Sequence, residues 1–168
     1  MFGDQRIEEH IPRLRRYARA LLGDAARADD LVQDTLERAW GKVRLWRRGS
    51  DLRAWLFTIM HNLHVNQIRR ERAAQPTLPL GDEADDLPVR ATQQDELEVR
   101  DLMSAIARLP TEYREVILLV GLEQMPYQEA ARVLGVPLGT VMSRLSRGRE
   151  RLRMLMAGRD GPALRRVK

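Results

Sequence analysis

The segment from Gly139 to Arg153 concentrates positive charge, with five arginines against one glutamate for a local charge of +4. An arginine side chain carries a planar fork of donors, which can bind the edge of a guanine at two points or pair with a phosphate. Residues of this type suit the recognition of an anionic polymer. The alternative is an ordinary solvated basic face. Whether these arginines bind an anionic polymer or only face solvent depends on the helices that carry them.

The arginines lie on the second helix of a predicted helix-turn-helix. Gly135 can adopt the left-handed conformation that ends a short helix over residues 127–134, and Pro137 begins the turn into the next helix. The inward residues of the short helix are Tyr127, Ala130, Ala131 and Leu134. The second helix has an apolar stripe at spacings of three and four residues, formed by Leu138, Val141, Leu145, Gly148, Leu152 and Leu155. Because this geometry coincides with the charge, major-groove DNA binding is favoured over a solvated face.

Composition agrees with a helical protein that binds a polyanion. The chain has 168 residues, of which 43% are hydrophobic, 32% charged and only 5% aromatic. This length suits one medium domain or two small ones, and the mix of long charged side chains with Ala and Leu favours helices. The net charge is +5 and the isoelectric point is near 10.3, with arginine supplying nearly all of the basic residues.

Several classes of protein are excluded or disfavoured by the composition. The absence of cysteine excludes disulfides, thiolate zinc sites and thiol redox sensing. The first ten residues lack a basic region followed by an apolar run, and no apolar stretch approaches the length of a membrane span. We therefore expect a cytoplasmic protein without direct membrane insertion.

Three helices are predicted in the first part of the chain. Gly23 ends the first helix, Asp24 can cap the second, and Ser50 or Asp51 can cap the third. The apolar face of the first is Ile7, Ile11, Leu14, Ala18 and Leu21. The apolar face of the second helix consists of Ala28, Leu31, Val32, Thr35, Leu36, Ala39 and Trp40. The apolar face of the third helix consists of Leu52, Trp55, Leu56, Ile59 and Leu63. Because Trp40 and Trp55 lie on these apolar faces, we expect both in the core.

The helical pattern breaks between Ala73 and Gln94. Three prolines and a run of acidic residues with no opposing base predict an extended, flexible linker there. A second helical part begins near Asp95, with a first helix whose apolar residues are Val99, Leu102, Met103, Ile106 and Leu109. A further helix begins at Thr111 and precedes the helix-turn-helix. The sequence predicts an all-α fold of two small helical domains on a tether.

Two motifs in this order resemble a known family. DLVQDTLERAW, residues 30–40, followed by a helix ending in NLHVNQIRRER, resembles region 2 of bacterial RNA polymerase sigma factors. MPYQEAARVLGVPLGTVMSRLSRGRERLR resembles region 4, and the length and linker resemble the extracytoplasmic-function (ECF) group. The resemblance covers roughly residues 5–157. It implies region 2 over residues 5–72, a linker over 73–94, region 4 over 95–157 and a basic tail over 158–168.

The resemblance implies a polymerase-binding face on the second helix. In sigma factors this helix docks on the clamp helices of the β′ subunit, and region 4 meets the β flap. The matching positions here are Asp30, Gln33, Asp34, Glu37 and Arg38. They lie opposite a complete apolar face, so they are available to a partner, although an ordinary solvated face has the same pattern.

The resemblance also implies two sets of DNA-binding residues. The set for opening and reading the −10 element is Trp46, Arg47, Arg48, Ser50, Asn62, Asn66, Arg69 and Arg70. An indole can stack on an unpaired base, asparagines can bind base edges and arginines can hold phosphates. The set for the −35 element is Pro137, Gly139, Thr140, Ser143, Arg144 and Arg147, with Arg151 one turn further as a phosphate contact. Many relatives have a basic or aromatic residue in place of Met142 and Ser146, so the promoter sequence does not transfer.

No catalytic, cofactor or metal site is predicted. His61 and His64 are spaced as two ligands on one helix would be, but no third ligand is near, so two polar helix residues are the better interpretation. The sequence has no phosphate loop and no nucleophile–base pair, so the protein is not expected to be an enzyme or to take a small-molecule substrate. In a sigma factor the polymerase performs the chemistry.

The sequence therefore predicts an ECF sigma factor that binds core RNA polymerase and promoter DNA, directs promoter-specific initiation, and is held inactive by an anti-sigma factor. Two alternatives stay open. One is a sigma mimic that titrates an anti-sigma factor, against which the basic DNA-facing residues argue. The other is a stand-alone helix-turn-helix repressor, which would bind duplex DNA tightly by itself.

Overall fold

The computed structural model describes residues 4–46, 49–74 and 94–160. These residues form seven α-helices: α1 (Asp4–Leu22), α2 (Ala25–Lys42), α3 (Leu52–Ala74), α4 (Gln94–Ala107), α5 (Thr111–Ile117), α6 (Tyr127–Leu134) and α7 (Leu138–Asp160). A 3₁₀ turn follows α2 and a π-helical turn, Leu118–Leu122, extends α5. The all-α fold of two helical domains is confirmed. Most of the expected linker, the end of the expected basic tail, and Arg47 and Arg48 lie outside the described residues.

Local capping groups define the N-terminal block, α1–α3. Gly23 ends α1 with a φ of 69°, as expected. Oδ1 of Asp24 accepts hydrogen bonds from the backbone N–H groups of Ala26 (2.8 Å) and Arg27 (3.1 Å), so it caps α2. Oδ1 of Asp51 accepts from the N–H of Ala54 at 3.3 Å, so Asp51 rather than Ser50 provides the cap of α3 that the sequence left open.

The core of the N-terminal block lies where α1 and α3 pack against α2. Tyr17 meets Phe57 edge-on, with ring centroids 5.1 Å apart. Phe57 and Met60, which the predicted stripe of α3 omitted, are fully buried. They are buried because α3 packs against α2 on one side and against α6 of the C-terminal block, α4–α7, on another.

The tryptophans do not all lie where the sequence predicted. Trp40 is 41% exposed, so its assignment to the core is wrong, whereas Trp55 is half-buried against the core. Trp46, expected to project for base stacking, is also half-buried and packs against the same core. Periodicity assigned Trp40 to the apolar face of α2, but it stands near the end of that helix, beyond the last buried residue, Ala39.

α4 packs against other helices from Met103 onwards. Val99 is 60% exposed and Leu102 is also exposed, although both lie on the predicted apolar stripe. Ile106 and Leu109 are buried, as expected. The pattern correctly identified the face of α4 but not the point along it at which packing begins.

Arg114 connects the ends of two helices. Its guanidinium donates hydrogen bonds to the carbonyl oxygens of Ile106 (3.1 Å), Leu109 (2.8 Å) and Ala107 at the C-terminal end of α4. It also donates to the carbonyl oxygen of Leu21 at the end of α1, at 2.7 Å. The end of a helix leaves such carbonyl groups without an internal partner, although the carbonyl of Ile106 also accepts from the N–H of Leu109 at 3.0 Å. Arg114 thus satisfies acceptors in both blocks, and its burial lowers its pKa.

The helix-turn-helix forms as the sequence predicted. Gly135 is left-handed (φ 64°, ψ 35°), and the N–H of Val136 donates to the carbonyl oxygen of Ala131 at 3.1 Å, which closes the end of α6. Two residues expected to face inward, Tyr127 and Leu138, are exposed instead. Both stand at the first position of their helix, where the neighbouring helix does not cover them.

Gly148 allows α7 to approach α5 closely. A Cβ at this position would lie 2.9 Å from Cδ1 of Ile117 and 3.2 Å from Cβ of Tyr113. We expect Gly148→Ala to lower the free energy of unfolding by about 1 kcal/mol, because the cost of overpacking exceeds the gain in helix propensity. Urea denaturation followed by circular dichroism measures the change.

The matched control is Gly158→Ala in the same helix, where an added Cβ meets nothing within 4 Å. This substitution is expected to leave the stability unchanged or to raise it by up to about 1 kcal/mol. Equal effects of the two substitutions would contradict the proposed close approach.

The two blocks pack against each other. Their main contact is α3 against α6, and α1 also meets α4, α5 and the π-helical turn. The predicted arrangement of two modules held only by a tether is therefore incomplete, because the modules also share an interface. Periodicity does not reveal this interface, since several of its contacts are made by charged side chains.

Candidate DNA and polymerase interfaces

The polar face of α2 is fully available to a partner. Leu31, Val32 and Ala39 are buried on its inner face, where the buried hydroxyl of Thr35 donates to the carbonyl oxygen of Leu31 at 2.7 Å. The expected polymerase-binding residues are all exposed: Asp30, Gln33, Asp34, Glu37 and Arg38. Trp40 and the exposed Leu45 add apolar surface at the end of this helix, which the sequence interpretation missed.

Three of the expected −10 residues share one face of α3. Asn62, Asn66 and Arg69 are exposed and line a cleft of about 490 Å³. Arg38, Lys42 and His61 add further donors to its wall, and the lining contains no acidic residue. The apolar part of the lining comes from Ile59, Leu63 and Val65 of α3 and from Leu134 of α6. Amide and guanidinium groups beside apolar surface suit the bases and phosphates of a single strand.

The other expected −10 residues lie outside this cleft. Ser50 and Arg70 are exposed. The indole N–H of Trp46 is buried without a hydrogen-bond partner among the described residues, and part of the ring is covered by the core. Stacking of Trp46 on a base therefore requires a local rearrangement.

The expected −35 residues form an exposed surface on the first turns of α7. Gly139, Ser143, Arg147 and Arg151 are exposed, as is Pro137 before the helix, and Thr140 is half-buried. Arg144 lies 3.6 Å from Oε2 of Glu112. Arg147 and Arg151 take part in no ion pair found within the described ranges. The guanidinium groups of Arg147 and Arg151 are therefore available to a ligand, and Arg147 lies nearer the start of the helix.

A second cleft lies on another side of the helix-turn-helix. It has a volume of about 510 Å³ and is lined by Tyr127, Met142, Leu145, Ser146, Arg149, Glu150 and Arg153. Met142 and Ser146 both lie in it, beside the expected DNA-facing residues Ser143 and Arg147.

Two family models match the chain, one in each block. The model described as the sigma2 domain of PhyR matches residues 7–61, and the model described as Sigma-70, region 4 matches residues 100–152. The ECF RNA polymerase sigma factor EcfG of Rhodopseudomonas palustris is 39% identical over 146 residues, which is 87% of this chain and 80% of that protein. The chain belongs to the ECF RNA polymerase sigma factors. The identification made from the two sequence motifs is confirmed.

Two solved structures of protein complexes also contain chains that resemble this ECF sigma factor. The sigma factor RpoE from Bartonella quintana, in complex with the anti-sigma factor NepR, is 35% identical, with a TM-score of 0.77 over 91% of this chain and 95% of that chain. CnrH, in complex with the cytosolic domain of CnrY, is 30% identical, with a TM-score of 0.68 over 93% of this chain and 88% of that chain.

The interface between the blocks of this sigma factor contains three buried glutamates. Glu115, Glu123 and Glu129 belong to the C-terminal block and are almost fully buried. Oε1 of Glu123 lies 3.0 Å from the guanidinium of Arg16, and Oε1 of Glu115 lies 2.7 Å from Nδ1 of His61. The sequence interpretation missed these glutamates. The only local sign of a buried glutamate was the position of Glu129, directly before the inward-facing Ala130 and Ala131 of α6.

Arg53 makes the most extensive of these polar contacts. Its guanidinium lies 3.0 Å from Oε2 of Glu129 and donates to the backbone carbonyl oxygen of Glu123 at 3.3 Å. Burial and a hydrogen bond with Asp51 raise the pKa of Glu129, although the charge of Arg53 opposes this shift. The same hydrogen bond lowers the pKa of Asp51.

Two other titratable groups lie beneath this interface. Burial, with the charges of Glu115 and Glu123, raises the pKa of Tyr17 well above its ordinary value. Burial lowers the pKa of His64, and neither of its ring nitrogens has a hydrogen-bond partner among the described residues. His61 faces Glu115 instead, so the two histidines considered as a metal pair have different surroundings.

Proposed function

We propose that this protein binds core RNA polymerase and directs promoter-specific initiation by reading the −10 element with α3 and the −35 element with α7. The observation that supports this most directly is that one chain carries an amide- and arginine-lined face on α3 and an exposed arginine face on the recognition helix. Reading two promoter elements requires two such faces on separate domains. We propose the domain boundaries 5–72, 73–94, 95–157 and 158–168.

The residues have different roles in this proposal. Asn62 and Asn66 bind base edges of the opened −10 strand, and Arg69 and Arg70 hold its phosphates. The loop with Trp46, Arg47, Arg48 and Ser50 supplies the stacking and further phosphate contacts. On the −35 side Ser143 and Arg147 face the major groove. The start of α7 is positioned on the DNA by four further residues, Pro137, Gly139, Thr140 and Arg144. The β′ clamp helices bind the polar face of α2, and the β flap binds the C-terminal block.

We also propose an anti-sigma factor as a partner. The sigma factor RpoE, similar to this chain over most of its length, is in a complex with the anti-sigma factor NepR, and CnrH, also similar over most of its length, is in a complex with the cytosolic domain of CnrY. No helix within the described ranges combines the length and apolar character that crossing a membrane requires. A cytoplasmic site of action follows from the proposed function, as does the absence of catalysis by this chain, because the polymerase performs the chemistry.

Run-off transcription tests the proposal. Core RNA polymerase with this protein is expected to yield defined transcripts from genomic promoter fragments, and core enzyme alone is not. The free protein is expected to bind duplex promoter DNA only weakly, because two small modules gain avidity only when they are held at the correct separation. Tight sequence-specific binding by the free chain would favour the repressor instead.

The sigma-mimic alternative has one specific observation in its favour, since the model that matches the N-terminal block is that of the PhyR sigma2 domain. A mimic would fail to support transcription with core enzyme but would relieve inhibition of another sigma factor. The 39% identity to EcfG over 80% of its length favours the sigma factor. The same run-off assay separates the two functions.

Arg147→Ala tests whether the recognition helix reads base edges. The reconstituted holoenzyme is expected to lose about 1–3 kcal/mol of binding free energy on the preferred −35 sequence and much less on a scrambled one. Arg147 is suited to reading because it is exposed and forms no ion pair within the described residues. Binding to matched and scrambled templates at two salt concentrations measures the difference.

Arg151→Ala is the matched comparison. Arg151 lies one turn further along α7, so its loss is expected to weaken binding equally on both templates and to reduce the salt dependence, as a phosphate contact does. Equal losses on both templates for Arg147→Ala would assign Arg147 to the backbone and move base reading to Ser143 and Arg144.

A further inference from the structure

An apolar edge lies along the start of the recognition helix α7. Met142 is 52% exposed, and the exposed Leu138 stands four residues before it, so the two side chains are neighbours on the helix surface. The exposed ring of Tyr127, at the start of α6, lines the same cleft as Met142. Large apolar side chains that are exposed together are typical of a contact surface rather than of a solvated face.

The surroundings of this apolar edge are basic. The cleft beside Met142 is also lined by Ser146, Arg149, Glu150 and Arg153. Glu150 pairs with Arg153, whereas Arg149 takes part in no ion pair found among the described residues. A partner that fits this surface therefore carries negative charge and also offers an apolar group. The major groove of DNA has both, because phosphates border it and the C5-methyl group of each thymine projects into it.

Met142 occupies the part of α7 that a recognition helix turns towards base edges. Such a helix enters the major groove with its N-terminal residues. Met142 begins the second turn of α7, directly before Ser143 and one turn before Arg147. The neighbouring Val141 and Leu145 are buried in the core, which fixes the rotation of α7. The side chain of Met142 is therefore held on the outer surface, beside the residues expected to face DNA.

We propose that Met142 reads the C5-methyl group of a thymine in the −35 element, and that Leu138 and Tyr127 extend the apolar contact on either side of it. The proposal rests on the proposed −35 function of α7 and adds a preference that the arginines do not supply. The fork of an arginine binds guanine, whereas an apolar contact with the methyl group distinguishes thymine from cytosine in the major groove.

A methionine side chain suits this contact. It is unbranched and flexible, and its sulfur is polarizable, so it can adapt to a small apolar group. It also has no hydrogen-bond donor, so it does not bind the acceptor groups of a guanine in the same position. The selectivity of Met142 thus depends on one methyl group, which can be removed from the DNA by chemical synthesis.

Deoxyuridine provides the test, because it lacks the methyl group of thymine but has the same hydrogen-bonding groups. Holoenzyme reconstituted with the unmodified protein is titrated with duplexes of a promoter found in the run-off assay. Each thymine of the −35 element, on either strand, is replaced in turn by deoxyuridine. At one position binding is expected to weaken about fourfold, which is the effect of one buried methyl group.

Met142→Ala removes the side chain that contacts the methyl group. Holoenzyme with this variant is expected to bind the thymine and deoxyuridine duplexes equally, and the double-mutant cycle assigns the contact to Met142. Met154→Ala is the matched control, because Met154 is 62% exposed on the same helix, about three turns further on. It should retain the full discrimination. Alanine favours a helix, so both variants are expected to fold.

The proposal would be overturned if no thymine of the −35 element were sensitive to loss of its methyl group, or if Met142→Ala retained the discrimination. Retained discrimination with weaker association of Met142→Ala with core enzyme would assign the apolar edge to a protein partner instead. Failure of the proposed function gives a different result. In that case the unmodified protein would yield no transcripts with core polymerase, and the role of Met142 in reading the −35 element would fall with it.

Discussion

Asp34→Arg is expected to reduce association with core RNA polymerase by roughly 30- to 5000-fold, because reversing a charge inside a protein interface costs about 2–5 kcal/mol. Asp34 is exposed on the polar face of α2, and the opposite face is buried. The side chain takes part in no ion pair found within the described residues. The substitution should therefore leave folding unchanged. A binding titration with labelled core enzyme measures the effect.

A second variant and a control define the surface. Asp30→Arg combined with Gln33→Ala is expected to lower association as well, because both residues lie on the same exposed face. Glu8→Arg makes the same change of charge at an exposed position of α1 and should leave association almost unchanged. Normal binding by Asp34→Arg would remove this face from the polymerase interface.

Arg114→Met is expected to lower the free energy of unfolding by about 3 kcal/mol, since a buried carbonyl left without a donor costs roughly 1–3 kcal/mol and, among the described residues, only the carbonyl of Ile106 keeps another donor, the N–H of Leu109. Three of these carbonyl groups stand at the end of α4, and the fourth is that of Leu21 in α1. Methionine retains an apolar stem of similar length, so the loss reflects hydrogen bonds rather than volume. Urea denaturation followed by circular dichroism measures it.

Arg132→Met is the matched control, because Arg132 is exposed on α6. Its replacement is expected to change the stability by less than about 0.5 kcal/mol. Arg114→Lys should give an intermediate loss, since an ammonium group does not have the geometry to reach all four carbonyls. If Arg114→Met were as stable as the control, Arg114 would not be a structural link between the helix ends.

The sequence was most reliable where the physical cause is local. Gly23, Asp24 and Gly135 were correctly identified as helix ends and caps, because the conformation and hydrogen bonds they provide involve only the next few residues. Gly148 was correctly assigned to a packing stripe, although its close approach to Ile117 depends on another helix. The two sigma-factor motifs were sufficient to identify the family.

Errors arose where burial depends on how far a neighbouring helix extends. Trp40 and Tyr127 lie on predicted apolar faces, yet they are exposed because each stands near one end of its helix. Val99 is exposed because no other helix covers the first part of α4. Phe57 shows the converse, since it lies outside the predicted stripe of α3 but is buried by packing on a second side. The spacing of apolar residues predicts which way a side chain points, but not whether another helix covers it.

The sequence by itself determined the helices, their caps, the helix-turn-helix and the family, because these depend on residue types at short separations. Only the tertiary structure decided that Arg53 meets Glu129, that His61 meets Glu115, and that α6 stands beside the asparagines of α3. These pairs join residues that are 76 and 54 positions apart. In a sequence, charged residues such as these indicate a solvated surface. They are removed from water here only because the two blocks pack against each other.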